Sequence, residues 1–420
     1  MEKIMMHDKQ KINFDTPIDR SNTNSIKWDS RTVKREGLIS LSVADMDFAM
    51  DIQILEAMRK RLEHPIFGYE FEPDSLNDTF AEWQLLQHNF EVNKESIVHL
   101  PGVVTGIAIT ILSLSQPGDG VVIQSPVYPP FFGVVKDNDR KLLLNPLVYN
   151  KESLTWSMDL AGLEKLFLND RPRMMLLCNP HNPVGRVWNK AELKDLADLC
   201  HRHNVLLISD DIHADFVFSG HPYTPLADVV EQNHSRFIQL LSPAKSFNIP
   251  GLGLAFALIP DTEQRKTVQK KVRAMGLSKP NTMASTAVQA AYKNGAQWFT
   301  AALAYIEKNQ QVFSEELAVG LPWARVSKAE GSFVAWVDLQ QSGLSHAELA
   351  HVIRHKAKLM LFDGLSFGDD GEFFFRLNLA CPRTVLLEAV TALTKALTVV
   401  KDRGRMKISL NTVVDKNCCG

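Results

Sequence analysis

The sequence predicts an α/β protein: a large, doubly wound, mostly parallel sheet domain followed by a smaller α+β C-terminal domain. Three observations carry that expectation. Short apolar runs alternate with helical patterns from about residue 35 to about residue 290. Those runs are continuous rather than alternating, as strands look when helices cover both faces of a sheet. Beyond about residue 290 the alternation gives way to a long amphipathic helix and then a mixture of strands and helices. With 420 residues the chain exceeds what one simple core serves, so two domains are expected.

Residues 1–50 read as an N-terminal arm that joins the small domain, the first 35 or so being polar and irregular. The large domain is expected over 51–290. In it "GVVTGIAITILSLS" (102–115) is a helix opening on Gly102, and "GDGVVIQSP" (118–126) is a turn and then a strand. "RMMLLCNP" (173–180) is a strand, and "NKAELKDLADLCHRHN" (189–204) a helix capped by Asn189 with Glu192 three residues on. "VLLISDD" (205–211) and "RFIQLLS" (236–242) are strands. The small domain is expected over 291–400. "GAQWFTAALAYIEKNQQVFSEELAVG" is its long helix and "GSFVAWVDL" (331–339) a strand, followed by a helix over 345–357. "EFFFRLNLA" (372–380) is a strand, and a last helix runs over 383–400. Residues 401–420, with Cys418 and Cys419, read as a frayed extension.

Composition excludes several classes. The formal net charge is -2 with no basic block, which gives no support for binding nucleic acid or an anionic membrane surface. Five cysteines, scattered apart from Cys418 and Cys419, form neither a disulfide framework nor a zinc pattern and fit a reducing cytoplasm. The first residues lack an apolar signal-peptide core, and no stretch is apolar for long enough to span a membrane.

In a parallel α/β sheet, ligands sit at the carboxyl ends of the strands. Four strand ends here present "SPVYPPF", "NPHNPVG", "DDIHAD" and "SPAKSFN": an aromatic, an amide, a carboxylate and a lysine. A lone Lys245 could be a rim lysine holding its ammonium in water. Beside those partners it is expected to be buried, with a depressed pKa, and able to form a Schiff base with a carbonyl compound.

These residues resemble fold-type I pyridoxal-phosphate enzymes, the aspartate-aminotransferase superfamily. The matches are "GY" at 68–69, "NPHNPVG" at 179–185, "SDDIH" at 209–213, "SPAKSFN" at 242–248 and "FRLN" at 375–378, in register over nearly the whole chain. The resemblance implies pyridoxal 5'-phosphate bound to Lys245, which would also shuttle the substrate α-proton. It implies Asp210 on the pyridine nitrogen, Asn182 on the phenolic oxygen, Tyr128 stacked on the ring, and Arg376 clamping the substrate carboxylate. The phosphate would take backbone amides of Gly102, Val103 and Val104, the Ser242 hydroxyl, and Tyr69 from a second subunit of a homodimer.

Each role has a plainer counterpart. Asp210 could cap a following helix, Tyr128 could be core packing, Asn182 a turn former between prolines, and Arg376 a structural ion-pair partner. His213 stands where many members carry tyrosine and is expected beside the cofactor without a catalytic role. His351 and His355 share helical spacing but lack the glutamate of a metal motif, so a solvated helix face is expected.

Two features bear on the reaction. Many aminotransferases of this class carry a phosphate-binding arginine eight residues after the lysine, where this chain has Gly253. "SVADMDFAM" (42–50), "IFGYEF", "KSFNIPG" and "RLNLACPR" resemble the cystathionine β-lyase branch, the bacterial C–S lyases. Asp45 and Asp47 either lie near the site entrance, as in that branch, or cap the helix beginning near Asp51. The expected reaction is β-elimination from cystathionine or related cysteine conjugates. An aminotransferase, or a non-catalytic binding protein on the same fold, are the alternatives.

Overall fold

Strands that read as unbroken apolar runs do so because their two faces pack into two different cores. In the strand Met174–Cys178, Met174, Leu176 and Cys178 enter one apolar cluster while Met175 and Leu177 enter another. The strand Leu206–Asp210 divides the same way, Leu206 and Ile208 against Leu207. Successive side chains on a strand point to opposite faces, so a sheet covered on both sides needs apolar residues at every position. The helices Val103–Leu114 and Thr262–Ala274 cover the first face, and Leu160–Asp170 and Lys190–Arg202 the second.

The computed structural model describes residues 12–71, 73–230, 236–279 and 281–402. The first eleven residues and the tail that holds Cys418 and Cys419 lie outside the described residues. A seven-stranded sheet runs in the order Ile97–Leu100, Ala255–Leu258, Phe237–Leu241, Leu206–Asp210, Met174–Cys178, Gly120–Ile123, Lys141–Leu144. Ala255–Leu258 is antiparallel to both of its neighbours, and the remaining pairs are parallel. Chain order reverses between Met174–Cys178 and Gly120–Ile123, which opens a crevice at the carboxyl ends of those strands.

A four-stranded antiparallel sheet, centred on Val334–Asp338 and Phe374–Asn378, packs with the long helix Ala296–Gly320 and the last helix Arg383–Asp402. The arm joins this part of the molecule: Ile39–Ser40 pairs in parallel with Leu359–Met360. It is less irregular than its polarity suggests. Helices Ile26–Asp29 and Arg31–Glu36 form there, capped by the hydroxyls of Ser25 and Ser30.

The helix at 189–204 has the expected box: Asn189 accepts from Glu192 N at 3.0 Å, and Glu192 accepts in return from Asn189 N at 2.9 Å. The helix expected over 345–357 is α-helical only over His346–His351 and continues as a π-helical turn, Val352–Lys356. His355 Nδ1 lies 3.8 Å from Glu36 of the arm. Among the described residues, no helix is long and apolar enough to cross a membrane.

Candidate active site

The expectation that Lys245 ends a strand is corrected in one respect. The strand stops at Leu241, and Lys245 lies on a one-turn helix, Pro243–Ser246. Ser242 caps that turn, accepting from Ala244 N at 3.2 Å, and Pro243 occupies its first position. The next residue fastens it from beneath. The Ser246 hydroxyl donates to Asp215, a buried carboxylate that also accepts from Trp83 Nε1 at 3.0 Å and contacts His88 Nε2 at 2.8 Å.

Lys245 faces a cavity of about 250 Å³ whose lining includes Gly102, Val103, Val104, Tyr128, Asn182, Asp210, His213, Ser242 and Gly253. A larger cleft of about 570 Å³, between Leu154, Phe218, Gln311 and Arg325, contains none of the sequence-predicted site residues.

The cavity is a low-dielectric site with unmatched charges. Burial pushes the Lys245 ammonium down to about 8, helped by Arg376 and opposed by Asp45 and Asp210. Burial pushes Asp210 up to about 7, against a bond from Ile212 N at 3.1 Å. No helix follows Asp210, so it caps none; the chain turns through 212–215. Neighbouring Asp211 faces Ser209 and Tyr223 instead. His213 is buried and held well below its ordinary pKa by burial, then by Lys245 and Arg376, so the ring is neutral; its Nδ1 lies 3.3 Å from the Ser332 hydroxyl. Burial also raises the Tyr128 phenol, keeping it a neutral ring.

Arg376 is 1% exposed and has no ion pair among the described residues. Its Nη1 donates to Asn182 Oδ1 at 3.1 Å and its Nη2 to the Ser42 carbonyl at 2.6 Å, while Nε is buried without a partner. Phe362 and Phe367 flank the guanidinium at 4.8 and 5.1 Å, and burial pushes its pKa down to about 10. Its bond orients the Asn182 amide, so Asn182 Nδ2 is the atom left to donate elsewhere.

Gly102 precedes the helix Val103–Leu114 with φ 157° and ψ 162°, and no side chain caps that end. The first amides of a helix lack intrahelical partners, and here they border the cavity. The Ser242 hydroxyl donates to the Leu254 carbonyl at 2.7 Å, so it must rotate to serve an anion.

Gly253 acquires a physical reason. It has φ 65°, and a Cβ there would lie 2.8 Å from the Pro101 carbonyl. The loop after the lysine packs its backbone directly on the turn that presents the helix amides, which leaves no room for a side chain. Gly253→Arg is therefore expected to cost about 2 kcal/mol or more of stability, from the left-handed backbone and the clash. It would restore no phosphate contact; denaturant unfolding and cofactor titration check both.

Tyr69 is not brought into the cavity by its own chain: it is 100% exposed. The capping role for Asp45 and Asp47 is overturned. Asp51 itself caps the helix Ile52–Leu62, accepting from Gln53 N at 2.7 Å. Asp47 takes Arg20, Lys27 and Trp28 at 2.7, 2.7 and 2.8 Å, and Asp45 takes Arg20 at 2.6 Å.

Two residues the sequence reading missed hold this stretch over the site, and a third supports the loop of Asn182. Asn248 accepts from Met46 N and donates to the Met46 and Phe48 carbonyls, all at 3.0 Å. Asn378 donates to the Val43 and Asp45 carbonyls at 2.7 and 2.6 Å. Cys178 accepts from Asn182 N at 3.4 Å and supports the loop carrying that amide. Asn248 and Asn378 close the motifs "KSFN" and "FRLN", which was the available signal.

A nucleophilic amine, a buried carboxylate and an uncapped helix end on one cavity, with an arginine bonded to the cavity's Asn182, suit an enzyme that binds a carbonyl-bearing anionic cofactor and a carboxylate substrate. Residues 36–393 match the model of the aminotransferase class I and II family, and the chain belongs to that family. Among relatives, it is 36% identical to cystathionine β-lyase PatB of Bacillus subtilis over 92% of this chain and 100% of the relative. It is 32% identical to protein MalY of Escherichia coli over 93% of this chain and 100% of the relative. Among solved structures, cystalysin from Treponema denticola, which contains a pyridoxal 5'-phosphate cofactor, superposes with a TM-score of 0.88 at 31% identity, covering 92% of this chain and 99% of that one.

Proposed function

We propose that this chain is a pyridoxal-phosphate-dependent β-lyase that cleaves the carbon–sulfur bond of cystathionine or a related cysteine S-conjugate. With water, cystathionine would give homocysteine, pyruvate and ammonia. The observation that carries the reading is the buried Arg376, which has no ion pair among the described residues and is bonded to Asn182, a residue that lines the cavity with Lys245. The relative named as cystathionine β-lyase PatB supplies the reaction type, and Gly253 separates the chain from aminotransferases that carry arginine there.

The residues present fit the cofactor. Lys245 Nζ would bond its aldehyde carbon, Asp210 would meet the ring nitrogen, and Asn182 Nδ2 the phenolic oxygen. Tyr128 would cover a ring face, with His213 beside the ring. The amides of Gly102, Val103 and Val104, with the Ser242 hydroxyl, would receive the phosphate. When bound, the cofactor supplies an electron sink that acidifies the substrate α-proton.

The protein's own part is orientation and proton handling. Arg376 holds the substrate carboxylate, gaining the anion its buried guanidinium lacks. Asp210 meets a cation that matches its buried charge. Lys245 Nζ, largely neutral above pH 8, takes the α-proton and holds it where the departing sulfur can receive it.

We assign the cofactor to a large domain over 51–290, with a small domain over 291–400 and the arm over 1–50. A homodimer completes the site. Ile66, Phe67, Tyr69 and Phe71 are 66, 52, 100 and 94% exposed, a run of apolar surface that a second copy would cover while carrying Tyr69 to the phosphate. Tyr69→Phe is expected to weaken cofactor affinity about tenfold by removing one charge-assisted bond, read by fluorescence titration, with the dimer kept by sedimentation. The buried free thiols of Cys178, Cys200 and Cys381 suit a cytoplasmic enzyme.

The test is incubation with cystathionine, scoring pyruvate and free thiol. Equal yields of both support the lyase. Stoichiometric keto acid with conversion of the cofactor to its amine form would replace it with an aminotransferase.

A further inference from the structure

The stretch Ser42–Phe48 lies across the site as a strap, and the residues that hold it are the site's own. Arg376 binds the Ser42 carbonyl, Asn378 the carbonyls of Val43 and Asp45, and Asn248 the backbone of Met46 and Phe48. Lys245 Nζ donates to the Ala44 carbonyl. The Ala44 carbonyl thus sits on the nucleophile, and Asp45 is the next residue along a backbone clamped on both sides.

Its carboxylate is asymmetric. Oδ2 is held by Arg20 at 2.6 Å, whereas Oδ1 is buried with no hydrogen-bond partner. A buried unpaired carboxylate oxygen costs free energy comparable to a lost charged hydrogen bond, and Asp47 already serves the structural cations of the arm, Arg20 and Lys27. A second carboxylate is not needed to neutralise Lys27, which bonds the Asp45 main chain rather than its side chain.

We propose that Asp45 is the positioning residue of the Lys245 nitrogen: a fixed negative charge, delivered by the arm, that stabilises the protonated nitrogen and that Arg20 attenuates. The proposal rests on Lys245 being the Schiff-base lysine. The charges that act on that nitrogen are of both signs. Arg376 and Lys27 disfavour its protonated form, Asp45 and Asp210 favour it, and His213 is neutral. Asp210 would be matched by the cofactor ring, which leaves Asp45, paired with Arg20 through Oδ2 alone, as the remaining anion.

The experiment is a pH titration of the visible absorbance of the cofactor-loaded dimer, which reads protonation of the Schiff-base nitrogen. Asp45→Asn is expected to lower that apparent pKa by about one unit. Asp45→Glu should stay near the wild-type value. Arg20→Gln breaks the same ion pair but leaves the carboxylate, and is expected to raise the pKa. An arm merely loosened by mutation would move both charge variants the same way. A shift in the same direction for Asp45→Asn and Arg20→Gln, or no shift in either, overturns the proposal. Should Asp45→Asn fail to fold, Arg20→Gln decides alone, since a downward or absent shift contradicts the assignment. Wild-type protein with no visible cofactor absorbance overturns the cofactor reading and this proposal with it, whereas visible absorbance that does not change with pH in wild type or either variant overturns this proposal alone.

Discussion

Lys245→Ala protein is expected to lose about a thousandfold or more in pyruvate formation from cystathionine, at the strong end of what a positioned proton-transfer group contributes. Among the described residues, Lys245 is the one lysine that lines the cavity. Lys27 is buried nearby, but its ammonium is bonded to Asp47 at 2.7 Å and to the Asp45 carbonyl at 3.3 Å. Lys245→Arg should fail to the same degree, because a guanidinium keeps the positive charge but supplies no neutral nitrogen near pH 8. Borohydride reduction followed by mass measurement gives the second readout: the wild-type chain should retain the cofactor covalently, and Lys245→Ala should not. The pH dependence has a defined sign. Burial lowers the Lys245 pKa from 10.5 to about 8, and only the unprotonated amine attacks a carbonyl. Reloading of cofactor-free protein should therefore accelerate as pH rises and level off a little above 8. An exposed lysine would keep accelerating to about 10.4. Loss of this plateau would place the nucleophile elsewhere.

Much of this site was legible because chemistry concentrates where strands end. Asp210, Asn182, Tyr128 and Lys245 each follow an apolar run, and a sheet buried on both faces makes such runs easy to locate. The strands Ile97–Leu100, Lys141–Leu144 and Ala255–Leu258 escaped notice: each has four residues and no "GDG" like the one that marks Gly120–Ile123, so pattern alone does not separate it from a buried turn. The helical turn at Lys245 was readable in principle from "SPAK", a serine cap before a proline. What local sequence could not carry was the arm. The Asn248 and Asn378 bonds to it join residues about 200 and more than 330 positions apart, and no periodicity records such a contact. Gly253 showed a missing arginine; only the 2.8 Å approach to Pro101 shows that a side chain is excluded.

Replacing Arg376 should separate activity from stability. A buried arginine in a structural ion pair, once removed, leaves an uncompensated carboxylate and costs several kcal/mol. Arg376 leaves no such charge, since the described residues offer it only Asn182 and the Ser42 carbonyl. Its positive charge is itself disfavoured by burial, as the fall to about 10 records. Arg376→Met should therefore change unfolding stability by no more than about 1–2 kcal/mol, the cost of two neutral acceptors losing a partner offset by removal of the charge. Activity should respond very differently. The substrate carboxylate would enter a cavity already lined by Asp210, with no guanidinium to receive it. A lost charge-assisted pair of this kind costs about 2–5 kcal/mol, so kcat/KM for cystathionine should fall about a hundredfold or more. Arg376→Lys should recover little of that, because an ammonium between Phe362 and Phe367 offers neither the planar fork nor the stacking that the 4.8 and 5.1 Å ring distances show. Cofactor loading, measured by absorbance, should survive both substitutions, since Arg376 is not among the residues assigned to the cofactor. A loaded but inactive and stable Arg376→Met protein is the expected result. One that unfolds by more than 3 kcal/mol, or turns over normally, would return Arg376 to a structural role and leave the substrate carboxylate without a partner.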